Sequence, residues 1–174
     1  GQGDLHFHRD FERMYDLIRQ ALRHSGVQID KGEIAGAFCP GDYDLSIDGR
    51  KFCGIAQRRQ SHAFVVQAFV ITEGSGASRA ELVREFYARA ALGARTEDYP
   101  QVQSSSTASL QELTGMAPHA ASLFAEGVKE VVRRGQSEQG LADAASRLVL
   151  PTVAEVQHMA SVLQQRYNPA VSPN

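Results

Sequence analysis

Cysteine is scarce in this chain: Cys39 and Cys53 are the only two in 174 residues. Two thiols do not make a disulfide framework. With no Cys-x-x-Cys pair, a structural zinc site has no ligand set. A basic surplus is lacking too. Eighteen Lys and Arg stand against twenty Asp and Glu, for a formal net charge of −2, so the bulk electrostatics of a nucleic-acid binder are absent. Long hydrophobic runs are also missing. The most apolar stretch, AFVVQAFVI, is interrupted by Gln67 and falls well short of the roughly 20 residues a membrane span requires. The opening GQGDLHFHRD is polar and has no signal-peptide core. What is present is 43% hydrophobic and 22% charged residues, sufficient for a real core. The expectation is a protein of the reducing cytoplasm, without nucleic-acid or membrane partners. The chain opens on Gly1 rather than methionine, and the expectation is that processing or a cut in the chain has removed what came before.

Periodicity supplies the organisation. Phe11, Met14, Ile18, Ala21 and Leu22 recur at helical spacing with Leu17 alongside, which predicts a helix over 10–25. Asp10 is its expected cap and Gly26 its stop. YDLSI (43–47) alternates as a strand does, Asp48-Gly49 is a hairpin signal, and KFCGIAQ returns. HAFVVQAFVI reads as a longer strand, central in its sheet and covered on both faces. GSG (74–76) lacks the Gly-Lys-Ser/Thr of a phosphate loop and reads as a solvated linker. A helix follows, with Ser78 and Glu81 as its expected capping box. Ser109 and Glu112 repeat that pattern ahead of a short helical piece ended by Gly115. Leu123, Phe124, Val128, Val131 and Val132 place a helix over 118–134. Thr152 and Glu155 open a last one, with Val156, Met159, Ala160 and Leu163 on one face, before NPAVSPN frays. Helix, small sheet, helix and helical tail make an α+β order.

The residues able to carry chemistry centre on Cys39. It follows IAGAF and precedes Pro40-Gly41, where a strand enters a turn. Two readings stand: a small buried hydrophobe, or an accessible thiol whose thiolate is a nucleophile stabilised by nearby positive charge. Arg50, Lys51, Arg58 and Arg59 supply such charge if the hairpin folds back. Lys51 is either an exposed edge residue or a group that polarises an acyl oxygen as charge develops on it. Asp44 either orients a polar network or is a solvated turn carboxylate. Cys53, inside a strand beside Gly54, reads as core filler; whether it faces Cys39 across the hairpin stays open. His6, His8 and Asp10 have metal-ligand spacing on a strand but lack a fourth ligand. His62 and His119 are lone histidines. Asp42 and Asp48 are turn carboxylates, not the paired acid and base of a glycosidase.

The string FCPGDYDLSIDGRKFCGIAQRR (38–59) closely resembles the cofactor-transferase domain of the biotin/lipoate protein ligase family. Within that family it resembles the branch that moves octanoyl groups from the glycine cleavage H protein. GSGASRAELVREFY and YPQVQSSSTASLQELTG resemble the same branch, so the likeness covers about residues 10 to 115 well and the helical tail loosely. It implies an α+β fold in which 1–115 is the C-terminal portion of the catalytic domain and 116–174 a helical tail. In the matched string Cys39 stands where the family has its nucleophile, and Lys51 where it has the lysine that contacts the acyl carbonyl. Tyr43, Asp44, Gly54 and Gln57 are the expected substrate-binding positions. The implied reaction takes an octanoyl or lipoyl group from the H protein onto Cys39 as a thioester. From there it passes to a lysine of a lipoyl domain, as in the E2 subunit of a 2-oxoacid dehydrogenase. The reaction implies no metal, no cofactor and no ATP, because the acyl group moves between amides of similar energy.

Three other readings remain beside it. Acyl carrier protein is an alternative octanoyl donor. An ATP-dependent lipoate ligase works through an adenylate and needs no cysteine. A non-catalytic fragment or lipoyl-domain-binding module is the third. Family members are longer and carry, ahead of the segment matching residue 10, a glycine-containing stretch that helps line the acyl pocket. Activity is therefore expected of the full-length protein. At Cys53 the family leads one to expect a small alanine or serine.

Overall fold

The computed structural model describes residues 2–60, 63–116 and 118–167, with the backbone alone for residues 2–7. His62 and the frayed end expected at 168–174 lie outside the described residues. The chain forms two compact units, 1–135 and 136–174.

In the first unit, helix α1 (Gln2–Ala21) lays Phe11 and Ile18 against the sheet, with Leu22 just beyond its end, all three buried. Met14 and Tyr15 pack beside them. A 3-10 turn at Arg23–Ser25 follows, closed by Gly26 at φ 69°, as expected. Asp10 does not cap the helix. It lies inside α1, nearly buried, and its carboxylate takes Arg13 at 3.2 Å and also Arg59 of the sheet. A cap signal and a helix-interior acid with a distant partner look alike in sequence. His8 likewise sits on a helix, so the strand spacing assumed for a His6, His8 and Asp10 cluster does not hold; the side chain of His6 lies outside the described residues.

The sheet has order β1-β2-β3-β4 and is antiparallel throughout. Its strands are β1 (Asp30–Lys31), β2 (Asp44–Ile47), β3 (Arg50–Arg59) and β4 (Phe64–Val70). Asp48 and Gly49 both have positive φ, 50° and 71°, the primed turn that matches the twist of a hairpin. One face of the sheet buries Leu45, Ile47, Cys53 and Ile55 together with Phe52 under α1. β4 is not central. Among the described residues it pairs with β3 alone, and Phe64, Val65 and Phe69 are 53%, 58% and 40% exposed. Its apolar run records a capacity for burial, but not what covers it.

The β2–β3 register slips between Leu45 and Ser46, so Leu45 faces Cys53 while Ser46 faces Lys51. Phe52 is the extra residue of a bulge. The slip has a direct consequence for the site. Gly54 pairs with Asp44 on the face away from α1, and strict alternation would put Lys51, an odd number of residues away, on the other face. The bulge restores Lys51 to the face of Asp44 and Gly54.

Helix α2 (Gly76–Ala90) is capped by Ser75, whose side chain accepts from the Ser78 amide, and not by the expected Ser78–Glu81 box. The start is set by tertiary contact. The Gly76 amide donates to Glu112 at 3.0 Å, and a Cβ on Gly76 would stand 2.3 Å from backbone atoms of Thr107 and Ala108. Helix α3 (Leu110–Thr114) carries the expected box, Ser109 with Glu112, and ends at Gly115. Partial burial works against ionising Glu112. The amides of Ser109 and Gly76, with the Ser109 hydroxyl and the Arg50 charge, together outweigh it and hold the carboxyl below its ordinary value. That stabilisation is therefore present at neutral pH and lost as pH falls through the lowered value. Ser109→Ala is expected to cost about 1–2 kcal/mol, read as a lower urea midpoint at neutral pH.

Helix α4 (Ala120–Gly135) belongs to the first unit, beyond the division expected at 115. It meets α1 closely: a Cβ on Gly127 would lie 2.8 Å from the Ala21 carbonyl oxygen. Phe124 packs on the core. The second unit holds α5 (Glu138–Arg147), capped by Ser137, which periodicity did not reveal, and α6 (Val153–Tyr167). α6 opens on the expected Thr152–Glu155 pair, whose reciprocal bonds are 2.8 and 3.2 Å. No helix among the described residues is long and apolar enough to cross a membrane.

Candidate active site

Cys39 lies within an irregular loop, not at the end of a strand, and its φ is 47°. A non-glycine residue in that region is strained, and such strain persists only where the surroundings impose it. Here the constraint comes from Lys51. Its ammonium group donates to the carbonyl oxygens of Phe38 at 2.8 Å and Cys39 at 2.7 Å, and pairs with Asp44 Oδ2 at 2.7 Å. An ammonium has three hydrogens, and each has a partner. Asp44 Oδ2 also accepts from the Gly41 amide at 3.3 Å. One buried ion pair thus grips the loop on both sides of the cysteine.

The pair is taken out of water. Lys51 is 0% exposed and Asp44 2%. The rings of Phe38 and Phe69, stacked with centroids 6.0 Å apart, stand 5.7 and 5.5 Å from the Lys51 nitrogen. Burial raises the Asp44 carboxyl above its ordinary value, with the Lys51 charge and hydrogen bond pulling it back. The cysteine side chain itself is exposed. Its sulfur is 3.8 Å from the hydroxyl of Tyr87 on α2.

Beside the sulfur runs a cleft of about 500 Å³ between the loop and strands β3 and β4. Gly54 and Ala56 line it from β3, Gln67 and Phe69 from β4, with Cys39 and Pro40 at the loop edge. A Cβ on Gly54 would fall 2.5 Å from the Phe69 ring, so glycine is what lets that ring lie along the cleft. The arrangement can present a thiol to a carbonyl at the edge of this cleft.

The model of the lipoyl protein ligase A/B catalytic domain matches residues 1–134 of the chain. The chain belongs to that family. Its relatives within this ligase family include the octanoyl-[GcvH]:protein N-octanoyltransferases of Macrococcus caseolyticus, 47% identical over 115 residues, and of Geobacillus kaustophilus, 47% over 106 residues. That of Staphylococcus aureus is 42% identical over 114 residues. These alignments cover 64%, 60% and 65% of this chain and 42%, 38% and 41% of the relatives. The chain thus spans about two fifths of the length of the curated relatives it matches.

Within this ligase-family chain, the sequence-based candidates separate into two groups. Cys39, Lys51, Asp44 and Gly54 meet at the cleft or the loop beside it. Of the two readings of Cys39, exposure excludes the buried one. Lys51 is not an edge residue, and Asp44 is not a solvated turn carboxylate. Tyr43 and Gln57 lie elsewhere. Tyr43 stacks on Phe11 of α1 at 4.3 Å and donates its hydroxyl to Glu12 at 3.2 Å. Gln57 pairs with Val66 in the register and accepts from Arg59 Nε. Both follow from alternation, since their neighbours Asp44 and Ala56 take the cleft face. Cys53 is buried on the α1 face, away from Cys39, with its thiol pushed up to about 12 by burial and by the Asp44 charge. Of the four cations near the hairpin, Lys51 is the one that reaches the Cys39 loop. Arg59 goes to Asp10, and Arg50 acts on Glu112. Sequence reasoning missed Phe38, Phe69 and Tyr87. Tyr87 stood in plain view in GSGASRAELVREFY, but nothing local links it to a cysteine 48 residues away.

Proposed function

We propose that this chain carries the thioester-forming centre of a protein N-octanoyltransferase. The observation behind this reading is the exposed Cys39 sulfur beside a cleft lined by Gly54. The Cys39 thiolate attacks the carbonyl of an octanoyl group held in amide linkage on a lysine of the glycine cleavage H protein. A carbon–sulfur bond forms, the carbon–nitrogen bond breaks, and the amine leaves carrying the proton that the Cys39 thiol gave up on ionising. The lysine amine of a lipoyl domain then attacks the thioester, restoring an amide and releasing the thiolate. Amide goes to amide, so no ATP enters. The names of the relatives support the donor, and the lipoyl domain of an E2 subunit is the acceptor this chemistry fits. A mechanism that needs a reduced thiol suits the cytoplasm.

The buried Lys51 serves this chemistry by holding the Cys39 loop. Contact with the acyl carbonyl, the role the family resemblance implies, requires it to exchange one of its present partners. The test is to mix the full-length protein with octanoylated H protein and map the acyl group by mass spectrometry. An octanoyl adduct on Cys39 is expected, discharged by added lipoyl domain. No adduct there, or one on another residue, would overturn the reading. Octanoyl-acyl carrier protein, run in parallel, decides between donors. Gly54→Ala is expected to slow transfer about tenfold, a misplacement effect, while lowering the unfolding midpoint little, because the half-exposed Phe69 ring can swing outward. The check is to compare rate and midpoint in the same variant.

A further inference from the structure

We propose that Tyr87 is a further catalytic residue, its phenol hydroxyl donating a hydrogen bond to the Cys39 sulfur and supporting negative charge there whenever the thiolate forms. The inference rests on the acyl-transfer reading for the reaction it serves, though its test does not. The contact joins two fixed mounts. Cys39 is held through its own carbonyl and that of Phe38 by Lys51. Tyr87 rides on α2, whose start is fixed by the Ser75 cap, by the Gly76 bond to Glu112, and by the close approach of Gly76 to Ala108. Between these mounts the sulfur and the phenol oxygen stand 3.8 Å apart, within reach of a hydrogen bond to the larger sulfur atom.

The cation that grips the loop is already engaged, and the loop's remaining charged groups, Glu33 and Asp42, are carboxylates, acceptor-only when ionised. Lys51 of β3 is bonded to Asp44 of β2 and to two carbonyls, and Glu33 in the loop acts on Asp44. The phenol is therefore the side-chain donor that meets the sulfur. Burial, and then the bond to Cys39, raise the Tyr87 phenol above its ordinary value, with the Cys39 amide opposing. The hydroxyl thus keeps its proton to donate through neutral pH. In the first half-reaction it supports the attacking thiolate. In the second it supports the same thiolate as leaving group. In neither does it gain or lose the proton.

Alkylation with iodoacetamide, followed by peptide mass spectrometry, tests this on the whole chain without any acyl donor. Its failure is therefore distinct from failure of octanoyl transfer. A hydrogen bond to a charged sulfur predicts that Tyr87→Phe slows Cys39 alkylation about tenfold at neutral pH. The gap should close in strong alkali, where both thiols are ionised; a purely structural role would give the same ratio at every pH. Equal rates, or a constant ratio, would overturn the proposal. Buried Cys53 reports folding by staying unlabelled. Should Cys53 react in the variant, the wild type decides. Blocking Cys39 with iodoacetamide should let one tyrosine ionise at lower pH in an absorbance titration, and an unchanged titration would refute the contact.

Discussion

Lys51→Met is expected to lower the free energy of unfolding by about 3–5 kcal/mol, the range for removing one partner of a buried ion pair. The loss is large because it is not one bond. The carbonyls of Phe38 and Cys39 lose their donor, and Asp44, 2% exposed, keeps a charge with no counter-ion. Methionine fills the space between Phe38 and Phe69, so packing is roughly kept and the electrostatic effect is isolated. The pH dependence has a definite sign. Burial already raises the Asp44 carboxyl, and Lys51 is what restrains it. Without Lys51 the value climbs further, so the folded form gains stability relative to neutral pH once acid protonates Asp44. The deficit of Lys51→Met should shrink as pH falls. Adding Asp44→Asn should recover part of it at neutral pH, a coupling that a double-mutant cycle measures. Lys51→Arg should not restore the wild-type midpoint, since a planar guanidinium does not match three acceptors arranged around a point. Urea unfolding across pH reads all of these. A deficit that grows in acid would contradict the assigned pairing.

Cys39→Ala is expected to behave in the opposite way. Transfer should fall by about a thousandfold or more, as when an enzyme loses its nucleophile, while the unfolding midpoint scarcely moves. The side chain is exposed and adds little to packing. The backbone strain at φ 47° stays in the variant, since alanine also carries a Cβ. Cys39→Gly should remove that strain and stabilise the fold slightly while being equally inactive. The comparison separates the cost of a strained loop from the chemistry it serves. Paired measurement of octanoyl transfer and urea midpoint in both variants is the check. A Cys39→Ala protein that still transfers octanoyl at near wild-type rate would remove the cysteine from the mechanism.

The two variants bear on different links of one chain of cause. Lys51 acts on the loop's conformation. On the proposed reading, Cys39 acts on the substrate from that loop. A Lys51 variant should therefore lose both stability and transfer, and the Cys39 variant transfer alone.

What could be read along the chain was whatever is settled by neighbours a few residues apart. The Asp48-Gly49 turn, the Ser109–Glu112 and Thr152–Glu155 boxes and the Gly26 stop all came out as expected, because caps and tight turns are satisfied within one turn of backbone. The spelling around Cys39 carried the family. Tertiary contact decided the rest. It moved the start of α2 from Ser78 to Ser75, since Glu112 and Ala108 meet Gly76 there. Among the described residues it left β4 paired with β3 alone, since an apolar run does not name its partner. A one-residue bulge at Phe52 turned Lys51 onto the face of Asp44 and Gly54, against strict alternation. The fold also brought Tyr87 to Cys39 across 48 residues. In each case the deciding group lies far along the chain, and no local rule of spacing records a contact that exists only once helix and loop have packed.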